Sequence, residues 1–592
     1  MGNVSTDSRA GRMTLPLFQI ALQSLRTALG EQAPSKSWNE LRMLIAQGRG
    51  SPLIEKVLQN ISAVEMADAQ LDVATVQSTI DKFLRVIAGR PIARTDAVAQ
   101  NAFSWEKRTS VRQGRAQVSY KNLDSQGDAV AHFLNLTMDP SQERVALFLS
   151  RNRFHFFAIT LGAKRVGASF TNFHSNLSGD EFLEHIQNEP YRVVFLDRES
   201  ILKIEPSLPL LEARGITVVD LDDHYPSLIH YGELKIHFSR RPQAVDPDIS
   251  SISYPGPTMF TSGTTGKPKL VLVPPTSRAG REANKLFRIG PEDRNLVIGQ
   301  LFHAGALSWA MGHINRGAEV ILTEHNNLIL DPAMVVEAIK KHQVTNFWIS
   351  PPWLQGLCRY LEQEPSPHDL SSLKAIYVGA APFHPALKRR ASKMFGPILW
   401  ENYAMTEFGL IAVLKPEELL QHATTVGKPA PGVDIEIRDI NNHPLSPGTT
   451  GQIFIRNELS RDIFVPSGDM GFVDGEGYLT MTSREVEQIT IGGINVFPRA
   501  IETEFLEIEG IDDCHVMGIS DGSGGHMVVA AVVAAVDHVF SEGELIDQIR
   551  ERLGVSGKVP DRVVFLPVIP RKPYKVNSSI LRELVIGRLA TT

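Results

Sequence analysis

The sequence predicts an α/β protein: a large unit of helix-covered β-sheets with a small β-barrel-like part, then a smaller α+β unit. Three observations carry this. At 592 residues the chain is too long for one ordinary core. From about residue 74 to 420, short apolar runs alternate with amphipathic helical patterns, as in parallel sheets covered by helices. Beyond that the texture changes twice, first to turn-rich alternating strands and then to a segment with its own helix and strand signals.

In chain order, residues 1–73 read as a helical extension. Leu15-Pro-Leu-Phe-Gln-Ile-Ala-Leu and Trp38-Asn-Glu-Leu-Arg-Met-Leu-Ile-Ala place apolar residues at three- and four-residue spacing. A packing or oligomer role fits it better than a catalytic one. Residues 74–484 form the large domain. Val145–Ser150 predicts a strand, roughly Phe154–Arg165 a helix, Val166–Phe170 a strand and Ser178–Asn188 a helix. Arg192–Asp197, Ile216–Leu221, Glu319–Thr323, Thr345–Ser350 and Lys374–Gly379 continue the strands. Ligands in such folds sit at the carboxyl ends of strands, and Pro351, Gly379 and Tyr403 all fall just past apolar runs. Val433–Arg438 and Gly451–Arg456 look antiparallel. Residues 485–592 are long enough for a small domain, with helices over Arg499–Glu507 and Glu542–Leu553 and a strand over Met527–Val536.

The composition is that of a soluble globular protein, 43% hydrophobic and 21% charged. A net charge of -6 argues against a nucleic-acid partner or an anionic membrane surface. Two cysteines make no disulfide framework, and no Cys/His spacing suits zinc. The polar start lacks a signal core, and the longest apolar run, Met527–Val536, is too short to span a bilayer. A cytoplasmic protein with no transmembrane segment is expected.

Chemistry concentrates in Thr258-Met-Phe-Thr-Ser-Gly-Thr-Thr-Gly-Lys-Pro-Lys-Leu-Val-Leu-Val273. Two β-prone runs flank a loop whose glycines turn N–H groups inward and whose hydroxyls and lysines add donors and charge. That is a phosphate cradle by composition. It is no Walker loop, since only two residues separate Gly263 from Gly266 and Pro268 follows Lys267. The loop therefore belongs between two strands. Four further clusters are weaker taken singly. His303 lies in Leu301-Phe-His-Ala-Gly305, where a structural histidine is the commoner case. In Trp400-Glu-Asn-Tyr-Ala-Met-Thr-Glu407, Tyr403 could stack on a base, Thr406 bond a phosphate and Glu407 hold Mg²⁺; an ordinary strand end explains this cluster equally well. Asp469, in Ser467-Gly-Asp469, suits paired ribose hydroxyls or simply closes a turn. Lys575 alone reads as part of an exposed basic loop.

Their order and spacing resemble the adenylate-forming superfamily of acyl- and aryl-CoA synthetases, carrier-loading adenylation domains and luciferases. The resemblance covers about residue 74 to the end. Thr261-Ser-Gly-Thr-Thr-Gly-Lys-Pro-Lys269 is similar to the family's phosphate loop in full, and Tyr403-Ala-Met-Thr-Glu407 to its Tyr-Gly-x-Thr-Glu segment, with Ala404 for Gly. Ser467-Gly-Asp469 and Arg484 resemble its ribose-binding Gly-Asp and following arginine. Gly492-Gly-Ile-Asn-Val-Phe-Pro498 through Glu502 resembles the segment after its interdomain hinge. Thr171-Asn-Phe-His-Ser-Asn-Leu-Ser-Gly-Asp-Glu-Phe182 is similar to the stretch in fatty-acyl-CoA synthetases.

The resemblance implies that a carboxylate attacks the α-phosphate of ATP, giving acyl-AMP and pyrophosphate, and that CoA then takes the acyl group as a thioester. Thr261, Ser262, Gly263, Thr264, Thr265, Gly266 and Lys269 would hold phosphates. Gly379, Ala380, Tyr403, Thr406, Asp469 and Arg484 would hold the nucleotide. Glu407 would anchor Mg²⁺. Lys575, His303, Thr265 and Glu407 are the implied catalytic residues, and the C-terminal domain is implied to be mobile. ATP, Mg²⁺ and CoA are the expected cofactors, and a homodimer is the expected assembly.

The chain departs from the pattern at Val486, where the hinge residue is usually acidic or lysine, and at Ser483, where glycine is common. It departs again at Tyr574-Lys575, which lacks a preceding glycine. Phe302 is followed by His303 rather than the aspartate of amino-acid-activating relatives, which argues against an α-amino acid. The pocket around Ala304–Trp309 and Tyr377–Phe383 is mostly apolar and suits a fatty or aryl acid, and Trp309 limits its depth if it points inward. An acyl carrier protein, an amine or nitrite stand as alternative acceptors or activated groups. A non-catalytic nucleotide- or acyl-binding relative is the reading from another class.

Overall fold

The computed structural model describes residues 97–238, 254–261, 269–272, 285–323, 330–364, 368–487, 489–491, 494–520, 526–553, 559–572 and 575–590. The helical extension expected over 1–73 lies outside the described residues.

Two large sheets build the first unit. In one, strands Leu399–Met405, Ala375–Gly379, Asn346–Ile349, Arg294–Val297, Glu319–Leu322 and Thr109–Gln113 run parallel side by side. Gly409–Leu414 and, beyond it, Lys428–Pro429 add antiparallel at one side, and Ala116–Ser119 closes the other, nine strands in all. In the other, Ile229–His230, Thr217–Asp220, Tyr191–Leu196, Arg144–Phe148, Phe170–Phe173 and Thr258–Thr261 run parallel, and Lys269–Leu272 returns antiparallel as the seventh strand. The expected strand–helix alternation is therefore present, and β-branched and aromatic runs such as Tyr191–Leu196 are buried on both faces.

Local signals set most element ends. Ser178 and Glu181 form a capping box that starts the helix Gly179–Asn188. Prolines open Pro332–His342, Pro351–Gln363, Pro385–Phe395 and Pro498–Leu506, where the missing N–H costs nothing. One expected strand shifts. The helix His155–Val166 runs through Val166 and stops at Gly167, φ 77, and the strand is Phe170–Phe173 rather than Val166–Phe170. The apolar run cannot signal that a glycine in the left-handed region ends a helix inside it.

A four-stranded antiparallel sheet, Asp434–Arg438, Gly451–Arg456, Val465–Val473 and Leu479–Arg484, takes the place of the barrel-like part. The C-terminal segment is layered. Strands Ile511–Ser520, His526–Ala534 and Arg562–Phe565 make its sheet. Val528, Ala530 and Val532 face a core with Phe505, Leu545 and Ile549, whereas Val529 and Ala531 face Leu581 and Val585 of the last helix. Burial on both faces explains why this strand reads as one continuous apolar run. No helix among the described residues is long and apolar enough to cross a membrane.

Candidate functional site

Most of the described candidates gather where strands of the nine-stranded sheet end. Gly379 lies opposite Asn402 in the parallel pair of Ala375–Gly379 with Leu399–Met405. A Cβ on Gly379 would lie 2.6 Å from Asn402 Nδ2 and 2.8 Å from the Asn402 carbonyl oxygen, so only glycine permits this approach. Ala380 follows at φ 71, a left-handed conformation that costs a residue with a Cβ about 1–2 kcal/mol. Strain of that kind concentrates at ligand sites. Asn402 is 8% exposed, and its Oδ1 has no hydrogen-bond partner among the described residues. A buried carbonyl oxygen in that state is an acceptor in want of a donor. Sequence reasoning gave Asn402 no role, because its position against Gly379 exists only once the strands pair.

Tyr403, next along, donates its hydroxyl to Asp469 Oδ2 at 2.5 Å. Burial raises the phenol's pKa, and the Asp469 charge raises it further. Asp469 is buried and lies opposite Arg484 in the antiparallel register, with Arg484 Nε 3.6 Å from Asp469 Oδ1. Gly468 at φ 79 makes the bend that presents Asp469, whose N–H donates to Ser467 Oγ. Thr406 and an exposed Glu407 occupy the turn after Met405.

Lys575 begins a two-residue strand paired with Arg571–Lys572. Its pKa is lowered by the surrounding protein, although part of the side chain stays open to solvent. The Arg484 charge lowers it further, while Asp469, Glu407 and Glu487 oppose the shift. Lys575 thus feels three of the predicted site residues at once. His303 feels it too. Burial chiefly holds that imidazole's pKa near 3, and the charges of His174 and Lys575 add to the effect. His303 precedes the helix Ala304–Asn315, with its ring 4.3 Å from that of Phe302 and 6.0 Å from that of His174. His174 is a second residue that sequence reasoning passed over. Its Nδ1 accepts from the Asn176 N–H at 3.1 Å, so the neutral ring carries its proton on Nε2.

The phosphate loop is described at its two ends. Thr258–Thr261 and Lys269–Leu272 pair antiparallel with Thr261 opposite Lys269, so the loop lies between two strands as expected. The hairpin hangs on the seven-stranded sheet through Thr258 and Thr171, whose hydroxyls bond each other, and Thr171 Oγ1 is 2.7 Å from the Tyr191 hydroxyl. Ser262, Gly263, Thr264, Thr265 and Gly266 lie outside the described residues, and Thr261 and Lys269 are described in backbone only.

The Lys575 hairpin is held in place by docking of the C-terminal segment on the helices Pro351–Gln363 and Pro385–Phe395. Arg359 Nη2 is 3.1 Å from Asp512 Oδ1, Arg389 pairs with Glu507, and His384 Nδ1 is 3.2 Å from Thr503 Oγ1. His384 sits among charges from both sides: Glu502 favours its protonation, and Arg499, Lys388 and Arg571 oppose it. Burial outweighs these and sets its pKa to about 4. Glu502 is committed elsewhere, 2.8 Å from His515 Nδ1. Burial works against its ionisation, but His515, His384 and the Val516 N–H hold its pKa down to about 2.

The docked form therefore disfavours the imidazolium of His384. Docking is at full strength above the ordinary histidine pKa of about 6.5 and weakens as pH falls toward 4, by at most about tenfold per pH unit. Limited proteolysis at the 3-10 turn Glu485–Glu487, which leads from the four-stranded sheet into the C-terminal segment, should show faster cleavage at pH 5 than at pH 7.5, and His384→Gln should flatten that dependence. A pH-independent cleavage rate in the wild type would show that His384 does not report docking.

Residues 98–460 match the sequence profile described as AMP-binding enzyme, and residues 500–573 that of the AMP-binding enzyme C-terminal domain. The indoleacetate–CoA ligase of Aromatoleum aromaticum is 29% identical over 500 residues, covering 81% of this chain and 95% of that protein. The fatty acid–acyl-carrier-protein ligase ScoC of Streptomyces coeruleorubidus is 26% identical, covering 79% and 90%. Among solved structures, the amide bond synthetase McbA of Marinactinospora thermotolerans superposes with a TM-score of 0.68 at 25% identity, covering 82% of this chain and 99% of that one.

Proposed function

The chain belongs to the AMP-binding enzyme family, and on that premise we propose that it is an AMP-forming acid:CoA ligase whose site is the cluster of Gly379, Asn402, Tyr403, Glu407, Asp469, Arg484, His303 and Lys575. The observation that carries this assignment is the convergence of the Gly379–Asn402 strand ends with the Tyr403–Asp469–Arg484 chain, within reach of the charge of Lys575. One ammonium, delivered by the C-terminal segment, is under the influence of Asp469, Arg484 and Glu407, and is felt by His303.

The roles follow from the chemistry of the groups. The adenine amine of ATP donates to Asn402 Oδ1, which the close approach of Asn402 to Gly379 holds at the strand end. The base stacks on Tyr403. Asp469 accepts from the ribose hydroxyls through the oxygen nearer Arg484, the other being taken by Tyr403. The loop from Thr261 to Lys269 holds the β- and γ-phosphates. The acid's carboxylate attacks the α-phosphorus, and Lys575 neutralises charge on the carboxylate and α-phosphate oxygens as pyrophosphate leaves. His303 stays neutral there, because its pKa is near 3, and forms the wall beside the carboxylate.

The donor set fits Mg²⁺. Glu407 is exposed at the turn, and among the described residues no three His, Cys, Asp or Glu side chains gather. A single carboxylate beside phosphates is how proteins commonly hold Mg²⁺. When bound, the ion offsets charge on the pyrophosphate.

For the second half-reaction we propose that residues 485–592 turn as a unit about the 3-10 turn Glu485–Glu487, so that one site serves two steps. A CoA thiol then attacks the acyl carbonyl and AMP leaves. The likeness to ScoC and McbA, which bear the names of a carrier-protein ligase and an amide bond synthetase, favours a second reading in which a carrier thiol or an amine is the acceptor. We place the enzyme in the cytoplasm.

The test is pyrophosphate release from ATP and Mg²⁺ over a panel of carboxylic acids, followed by CoA, a carrier protein and simple amines with the best acid. Release with at least one acid and thioester formation with CoA are expected. Intact ATP binding with no release for any acid would leave only a binding protein.

A further inference from the structure

Beyond the nucleotide cluster, a group of packed aromatic side chains stands along the helix that starts after His303. Gly305 and Trp309 are four residues apart and so share a face of Ala304–Asn315. That face meets Asn346–Ile349 and Ala375–Gly379. A Cβ on Gly305 would come within 2.9 Å of the Trp348 ring. Four residues on, the Trp309 ring stacks on Tyr377 with centroids 3.8 Å apart and planes 14° apart. Phe287 braces both edge-on, at 4.7 Å from Trp309 and 5.2 Å from Tyr377, and touches Trp400 at 5.3 Å. Behind them His313, fully buried, holds the Trp309 carbonyl at 2.7 Å. Tyr377 is 1% exposed, whereas Trp309 remains half-buried, so the accessible part of the stack is the indole.

The depth follows from helix geometry. Trp309 is six residues beyond His303, about 9 Å along the axis at ~1.5 Å per residue. A ligand that enters beside His303 and follows this helix therefore meets a flat aromatic wall after about one ring system and a short linker. The wall is no loose side chain that a longer tail could displace, because Tyr377, Phe287 and Trp400 pack behind and around it.

Building on the acid-activating reading of the site, we propose that the Trp309–Tyr377 stack is the floor of the acid pocket, and that the enzyme activates compact, ring-bearing carboxylic acids rather than long-chain fatty acids. The aromatic floor offers ring faces and edges to an incoming ring, an arrangement aromatic pairs prefer. It excludes an extended alkyl tail by shape.

The experiment compares phenylacetate, naphthylacetate, dodecanoate and hexadecanoate as substrates, in pyrophosphate release, and as ligands, by calorimetry without ATP. Wild type should favour the arylacetates over dodecanoate by at least about tenfold in kcat/KM, the scale that pocket shape supplies. Trp309→Ala should shift that ratio toward dodecanoate by at least about tenfold, mainly through a rise for dodecanoate. Trp309→Phe should keep the wild-type order, and Trp309→Leu serves if the alanine variant does not fold.

A wild type that prefers dodecanoate, or a folded Trp309→Ala or Trp309→Leu protein with an unchanged ratio, overturns the floor assignment while leaving acid activation standing. Pyrophosphate release with no acid overturns acid activation instead. Calorimetry then decides the floor separately: tighter binding of naphthylacetate than dodecanoate, reversed by Trp309→Ala, supports it, and equal binding overturns it.

Discussion

Lys575→Ala should lower pyrophosphate release with the preferred acid by about 10²–10³-fold, the scale for removing one preorganised charge from a developing transition state. The protein should melt as the wild type does, since the side chain is partly open to solvent and caps no element. The loss should fall on kcat more than on the KM for ATP, because in the proposed site Asn402, Tyr403 and Asp469 hold the nucleotide without the lysine.

The same variant supplied with preformed acyl-AMP and CoA should make thioester at near the wild-type rate, because the proposed role of the lysine belongs to the docked arrangement of the first step only. Rapid-quench measurement of both half-reactions separates these outcomes. An unchanged first half-reaction would remove Lys575 from the mechanism. An equal loss in both would assign it to nucleotide positioning in general.

That assignment began as a basic residue in a turn-like stretch, and it shows what a sequence can and cannot disclose. Period and punctuation made the fold class legible: apolar runs bounded by glycine and proline gave the parallel strands, and the strand at His526–Ala534 was marked by burial on both faces. Motif spacing pointed to a chemistry, because the loop at 261–269 and the residues Tyr403, Glu407, Asp469 and Lys575 each carry a group suited to a phosphate, a base, a ribose or a metal. What stayed hidden depended on contacts far apart in the chain. Asn402 gains meaning only from Gly379, and His174 only from Phe302 and His303. The direction of Trp309 cannot be read from its helix, since a tryptophan at that spacing is as good a core residue as a pocket wall. Nothing in the sequence marks His384, and its place against Thr503 exists only once the fold brings the two together.

The other large effect should come from a residue that never touches substrate. Lys388 and Glu401 are 1% and 5% exposed, and their charged ends lie 2.5 Å apart beneath the strand that carries Asn402 and Tyr403. The ammonium also donates to the carbonyl oxygens of Ala423 and Thr425, at 2.7 and 2.8 Å. Burial lowers the pKa of Lys388 and raises that of Glu401, and each partner opposes the shift of the other. Lys388→Met should therefore cost about 3–5 kcal/mol in urea unfolding at pH 7.5, the cost of leaving one buried charge alone.

Lys388→Met combined with Glu401→Leu should recover most of that loss, because two apolar groups need no compensation and the pair is coupled. The single variant also carries a pH signature. With its partner gone, the folded-state pKa of Glu401 rises further above the unfolded value. The deficit should be smallest below about pH 4, where the carboxyl is protonated in both states, and should grow as pH rises through the folded pKa. Because the strain falls on Glu401-Asn402-Tyr403, ATP binding should weaken in Lys388→Met and return in the double variant. A deficit under about 1 kcal/mol, or one independent of pH, would mean that the carboxylate finds water or another donor and that the pair does not hold this strand.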